Sequence, residues 1–269
     1  GNMTTLNPPE EVELAELLCE LHPWASKVKY ARTGGEACTI AIRIARAYSE
    51  KTKIAFCGYH GWHDWYLSVN LGKTDSLDGH LLPGLQPNGV PEGLAETTIP
   101  FKYNDIEALE KIFTDNKGDM AGIIMEPIRN EEPRAGFLEK VKELARKNNA
   151  VLIFDEITAG WREITAGMHM KYGIEPDIAI FGKTISNGFP MAAIIGVDTV
   201  MEAAQNTFIS SAYFTDRIGP ASALKTLQIH REINAGQVVS EMGKFVQMQW
   251  ALISKSHGIN LSIGGIPAL

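Results

Sequence analysis

The stretch IFGKTISNG, residues 180–188, sets Lys183 directly behind an apolar run, Ile178 to Phe181, that reads as a buried strand. Lysine is among the residues least often buried, so an ammonium group there asks for a use. A second apolar run, VLIFD, ends on Asp155, and 27 residues separate the two side chains, room for a crossover helix and two turns. A lysine that forms a Schiff base must be held in place and activated by desolvation or by neighbours. An aldehyde that acts as an electron sink through a pyridine ring works best with the ring nitrogen protonated, and a fixed carboxylate keeps it so. Asp155 and Lys183 are the candidate carboxylate and amine.

Other strand-like runs also end on chemistry. KVKYA leads into Arg32-Thr33-Gly34-Gly35-Glu36 and then a helix. A glycine turn opening a helix offers free N–H groups and the positive end of the dipole, which suits a phosphate. KIAFC leads into Gly58-Tyr59-His60-Gly61, and the Tyr59 ring could lie flat against a pyridine. GIIM leads into Glu126-Pro127. Ligands of open α/β sheets bind outside the carboxyl ends of the strands. Five such ends here describe a site for an anionic, aromatic, carbonyl-bearing molecule.

Each feature alone has a plainer reading. Lys183 could be a surface lysine, Asp155 and Glu156 a solvated or metal-binding pair, Thr33-Gly34-Gly35 a helix cap, and Tyr59 a core ring. His60, His63 and Asp64 in HGWHD could ligate a metal, but no cysteine or third histidine stands at ligand spacing, so no metal is expected. Cys38 and Cys57 read as small core residues.

The elements that must position these groups alternate along the chain. Helices are expected at Glu10–Leu21 (Val12, Ala15, Leu18 and Cys19 on one face), in GEACTIAIRIARAYS, DIEALEKIFTDN and FLEKVKELARKNNA, and in two closing segments, DRIGPASALKTLQIHREI and VVSEMGKFVQMQWALISK. In the second helix Ala37, Ile40, Ala41, Ile44, Ala45 and Tyr48 form the apolar face, with Arg43 and Arg46 pointing away. Strands are expected at KVKYA, KIAFC, MAGIIM, VLIFD, DIAIF and MAAIIGV, and residues 70–100 read as one long loop. Strands alternating with helices predict an α/β fold of three layers, α/β/α, around a mostly parallel sheet. The 269 residues carry a net charge of -7 and no Lys/Arg block, which argues against a nucleic-acid surface. Three scattered cysteines fit a reducing, cytoplasmic setting. No apolar run reaches the roughly 20 residues of a membrane span, and the opening GNMTTLNPPEE lacks the apolar core of a signal peptide. Residues 1–7 read as a leader or tag remnant, with the domain running from 8 to 269.

Taken together, KVKYARTGGEACTIAIRIARAYS, GYHGWHD, AGIIMEP, VLIFDEITAGWR, PDIAIFGKTISNGFPMAAIIG and FTDRIGPASALKTL resemble the class III, fold-type I, pyridoxal-phosphate aminotransferases. Within them the chain is most similar to the glutamate-1-semialdehyde aminomutase group. The resemblance implies pyridoxal 5'-phosphate as cofactor, a small-molecule amino donor and carbonyl acceptor, and a homodimer with shared active sites. It implies that Lys183 forms the Schiff base and moves protons, that Asp155 pairs with the pyridine nitrogen, and that Ile157 packs under the ring opposite Tyr59. Thr33, Gly34 and Gly35 would hold the phosphate, although Gly35 stands where the family has a threonine hydroxyl. His60 would sit near the ring hydroxyl, Glu126 near the pocket floor, and Thr215 at the phosphate of a neighbouring subunit. Asn130 and Glu131 compete for one further pocket position. The local sequence around Thr215 also reads as the N-cap of a helix beginning near Asp216. Full-length family members carry a segment before the one matching Pro8 and a small domain after the one matching Leu269, so the chain is expected to be the cofactor-binding large domain. Two functions stay open at this point: amino-group transfer, as transaminase or aminomutase, or a relative that keeps the cofactor fold as a binding or structural module.

Overall fold

The strands at Met120–Met125, Val151–Asp155, Ile178–Phe181 and Ala192–Gly196 are buried on both faces, and that explains their near-continuous apolar runs. The computed structural model describes residues 6–73, 75–80, 83–211 and 213–269; most of the expected leader, residues 1–5, lies outside them. In chain order the elements are α1 (Pro9–Leu21), β1 (Lys27–Ala31), α2 (Gly34–Ser49), β2 (Lys53–Cys57), α3 (Asp64–Leu67), α4 (Val69–Gly72), β3 (Thr98–Pro100), α5 (Ile106–Asp115), β4 (Met120–Met125), α6 (Phe137–Lys147), β5 (Val151–Asp155), β6 (Ile178–Phe181), β7 (Ala192–Gly196), α7 (Asp198–Met201), α8 (Ile218–Glu232) and α9 (Ala235–Ser256). One seven-stranded sheet runs in the order β1-β7-β6-β5-β4-β2-β3. Neighbours from β6 to β3 pair parallel, while β7 pairs antiparallel with both β6 and β1. β1 therefore points the same way as β6, and the carboxyl ends of all strands except β7 share one edge.

Strand periodicity decides which side chain meets which layer. In β5, Leu152 and Phe154 enter the core under α5 and α6, whereas Val151 and Ile153 pack toward α2. Asp155 is next in the alternation and falls on the α2 side. In β6, Ala179 and Phe181 join the core beneath α1 and α8, and Ile178 and Ile180 face α2. Helix α2 is thus the lid over the strand ends that carry Asp155 and Lys183. It starts because Thr33 Oγ1 accepts the Glu36 N–H at 3.3 Å, buries Ala37, Cys38, Ile40, Ala41, Ile42, Ile44 and Ala45, and stops at Glu50 in the left-handed conformation.

Four expectations shift. Val12 is 48% exposed, because α1 turns Leu14 inward beside Leu18, which is buried as expected. Tyr48 is 45% exposed, in the last turn of α2 beyond its buried stretch. Arg46 does not point away; its Nε donates to the Thr52 carbonyl at 2.8 Å. Within residues 70–100, Thr98–Pro100 forms an edge strand parallel to β2 rather than loop. Helix α9 buries only Gly236 and exposes Met242, Phe245, Trp250 and Ile253. Among the described residues no helix is long and apolar enough to cross a membrane.

β4 and β5 pack so closely that one methyl group matters. A Cβ at Gly122 would stand 2.8 Å from the Val151 carbonyl oxygen of β5. Gly122→Ala is expected to lower stability by about 1–3 kcal/mol through overpacking, read as a lower urea midpoint with an unchanged m-value.

Candidate active site

Asp155 is 3% exposed and sits at the end of β5. A buried carboxylate has to be hydrogen-bonded, and this one is bonded through both oxygens. Oδ1 accepts the Ile157 N–H at 3.0 Å. Oδ2 lies 2.8 Å from His60 Nδ1 and accepts the Cys38 thiol at 3.5 Å. His60 Nε2 in turn donates to the Cys57 carbonyl at 3.0 Å, so both imidazole nitrogens are engaged by the protein. The structure therefore places His60 against Asp155, with neither nitrogen left over for a ring hydroxyl. Burial and the Asp155 charge push the Cys38 thiol well above its ordinary pKa. Cys38, His60 and Asp155 offer ligand atoms within 4.8 Å of one another, but a thiol kept protonated is a poor metal ligand, and the three groups satisfy each other as hydrogen-bond partners. His63 and Asp64 are not part of that group.

Lys183 opens a short 3-10 turn after β6, the strand beside β5. It is exposed toward the cavity rather than buried, which answers why lysine stands behind an apolar strand. Its φ of 45° lies in the left-handed region, a strained conformation for a side-chain-bearing residue. Nζ donates to Thr158 Oγ1 at 2.7 Å. Desolvation lowers the ammonium pKa, while the charges of Asp155 and Glu126 pull it back up.

Gly34, Gly35, Tyr59, His60, Asp155, Ile157 and Lys183 all line one cavity of about 510 Å³. Ile157 is held between two glycines: a Cβ on Gly34 would meet its Cδ1 at 2.8 Å, and a Cβ on Gly182 would meet its Cγ2 at 3.2 Å. The first turn of α2 spends the Glu36 and Ala37 N–H groups on Thr33. The Gly34 and Gly35 N–H groups donate to no described residue and remain free for an anion. An acceptor of a protonated ring nitrogen, an amine with a lowered pKa and a free helix terminus on one cavity fit a phosphorylated pyridine aldehyde.

Three candidates lie elsewhere. Thr33 is exposed and its hydroxyl is spent as the α2 cap. Glu126 lines a second cavity of about 340 Å³, together with Asn130 and Glu131. Burial and the Asp155 charge raise its pKa, and Arg129 Nη1 donates to its Oε2 at 3.2 Å. Thr215 does not line the main cavity. It is also not the cap of α8: the helix begins at Ile218 with Arg217 at the cap position, and Asp216 Oδ1 accepts the Ile218 N–H at 2.9 Å. Thr215 adopts φ 76°, a strained value for a β-branched residue. Sequence reading missed Thr158 and gave Cys38 only a packing role. Both were within reach of it, since Thr158 follows Asp155 by three residues and Cys38 lies one helical turn beyond Gly34.

The model of the aminotransferase class-III family matches residues 2–263. The chain belongs to that family. Among curated class-III relatives, it is 36% identical over 261 residues to the 3-aminobutyryl-CoA aminotransferase of Cloacimonas acidaminovorans, covering 94% of this chain and 59% of that protein. It is 33% identical over 268 residues to the glutamate-1-semialdehyde 2,1-aminomutase of Sulfurihydrogenibium sp., covering 96% and 61%. A solved transaminase with PLP bound superposes with a TM-score of 0.87 at 25% identity, covering 99% of this chain and 64% of that one. The Sphingopyxis sp. FumI protein has the same fold at TM-score 0.87 and 24% identity, covering 99% and 62%. The chain thus spans about three fifths of the length of the class-III relatives it matches.

The space beside Gly35 is taken. A Cβ there would lie 2.7 Å from His63 Cε1 and 2.8 Å from His63 Nδ1. Gly35→Thr is therefore expected to destabilise the fold by about 1–3 kcal/mol. Gly35→Thr combined with His63→Ala should recover most of that loss, a coupling that a double-mutant cycle of unfolding midpoints measures.

Proposed function

We propose that this chain binds pyridoxal 5'-phosphate in the 510 Å³ cavity and serves amino-group transfer in the whole protein of which it spans the matched part. The observation that carries the reading is the meeting of Lys183 and Asp155, from the ends of adjacent strands, on one cavity that also receives the α2 N-terminus. The bound cofactor supplies an aldehyde for the amine and a ring that takes up the electron pair released at the substrate carbon.

The protein's own groups do the rest. Asp155 holds a proton on the ring nitrogen, and His60, Cys38 and the Ile157 N–H keep the carboxylate from turning. Ile157, pinned by Gly34 and Gly182, and Tyr59 form the two apolar walls that orient a flat ring. The Gly34 and Gly35 N–H groups bind the phosphate. Lys183, with its pKa lowered by desolvation, takes a proton from the substrate carbon and returns it nearby. Thr158 holds the amine in line between these events. Glu126, in the second cavity, acts through its charge, which favours the Lys183 ammonium, and Thr33 acts by fixing the start of α2.

A relative named as an aminotransferase and another named as an aminomutase support amino-group transfer between two molecules or within one. We further propose a homodimer in which Thr215 serves the partner's phosphate. The 85% exposed Phe208 and 70% exposed Trp62 offer apolar surface that supports an interface, and sedimentation at graded concentrations tests it. Free Cys19, Cys38 and Cys57 support a cytoplasmic setting.

Lys183→Ala in the full-length protein should retain bound cofactor yet yield no borohydride-trapped lysine adduct. Amino transfer should fall by about 10²–10⁴-fold or more. A trapped adduct on another lysine, or undiminished transfer, would overturn the assignment.

A further inference from the structure

We propose that Arg162 anchors a carboxylate of the amino donor, so that this site takes amines carrying a carboxylate in preference to plain amines. The inference rests on the amino-transfer reading. Arg162 stands four residues beyond Thr158 in the segment that follows β5, and it lines the main cavity. Its Nε donates to the Thr158 carbonyl at 3.1 Å. Nη1 and Nη2 donate to no described residue.

Thr158 couples this guanidinium to the reacting amine. Its hydroxyl accepts from Lys183 Nζ at 2.7 Å while its carbonyl holds Arg162. One residue therefore fixes both cationic groups on the same side of the cavity. Reacting atoms have to come within about 3–3.5 Å of each other, so the substrate carbon lies at the Lys183 amine. Whatever that carbon carries on the same side then extends toward Arg162. The closeness is felt electrostatically, since the Arg162 charge disfavours the Lys183 ammonium.

The rest of the cavity leaves Arg162 without an acid. Asp155 is the only carboxylate among the lining residues, and His60, Cys38 and the Ile157 N–H already engage it. The other lining guanidinium is committed. Arg32 Nη2 pairs with Asp216 Oδ2 at 2.8 Å, and the group lies over the Tyr213 ring at 5.1 Å. Arg162 is the lining guanidinium whose two outer nitrogens have no acceptor among the described residues. A guanidinium fork matches a carboxylate with two parallel hydrogen bonds. A phosphate is better served at the free N–H groups of Gly34 and Gly35, which open α2 after β1 rather than following β5.

The test uses the full-length protein loaded with pyridoxal 5'-phosphate. Half-reaction rates are compared for 4-aminobutanoate and n-butylamine, and for β-alanine and n-propylamine. Arg162→Ala should lower kcat/KM for the amino acids by about 10- to 100-fold, the usual worth of a charged hydrogen-bond pair. The alkylamines should change less than about threefold, and cofactor affinity should be unchanged. Arg162→Lys should recover part of the loss. Equal losses for both amines would overturn the proposal. So would a loss of cofactor affinity, which would make Arg162 a phosphate ligand. Butanoate, which has no amino group, separates this proposal from the amino-transfer reading. Its binding, read as a shift in the cofactor's absorption, should be weakened by Arg162→Ala even if no amine is turned over. Butanoate binding that does not depend on Arg162 would sink the proposal while leaving amino transfer standing.

Discussion

A negative charge buried to 3% exposure is costly unless its oxygens are bonded, and Asp155 sets that demand at the centre of the sheet. Meeting it ties together elements far apart in the chain. β5 delivers the carboxylate, α2 brings Cys38 down onto it, and the turn after β2 brings His60. The residue after next, Ile157, turns its own N–H back onto the carboxylate, which also fixes its side chain as a wall of the cavity. The same geometry requires small residues at 34 and 182, because the Ile157 side chain occupies the space their Cβ atoms would need. The glycine turn, the apolar wall and the buried carboxylate are therefore one packed unit rather than three independent features.

Lys183 shows a second constraint. Its backbone takes a left-handed conformation that glycine adopts more readily. The chain accepts that strain where a lysine side chain must leave the sheet edge and enter the cavity. The neighbouring charges act in opposition, and desolvation in the cavity outweighs the attraction of Asp155 and Glu126, so the ammonium pKa lies below that of an ordinary lysine.

Much of this was legible in the chain itself. MAGIIM and VLIFD are continuous apolar runs of strand length, and the observed β4 and β5 match them residue for residue. The groups at their ends could be read because strands deliver their last side chains to one edge. Local patterns failed where tertiary packing chose between equal options. Val12 and Tyr48 fit an apolar stripe, but the sheet covers only part of each helix. Asp216 and Thr215 both look like helix starters, and the chain's approach to α8 left the cap position to Arg217. Thr158 was overlooked because a threonine in a loop carries no periodic signal. Only the lysine across from it gives the hydroxyl a purpose.

The antiparallel β7 has a consequence for how the molecule comes into being. β1 finds its place in the sheet only through β7, pairing Lys27 with Gly196 and Ala31 with Ala192, roughly 160 residues later. During synthesis the first strand and the glycine turn behind it must wait while β2 through β6 emerge and pair among themselves. A nascent chain stopped before β7 would hold a parallel sheet from β6 to β3 with the β6 edge open and β1 unattached. Chaperone contact with that edge, and the order in which the glycine turn behind β1 becomes protected, would then follow from where one reversed strand lies in the gene.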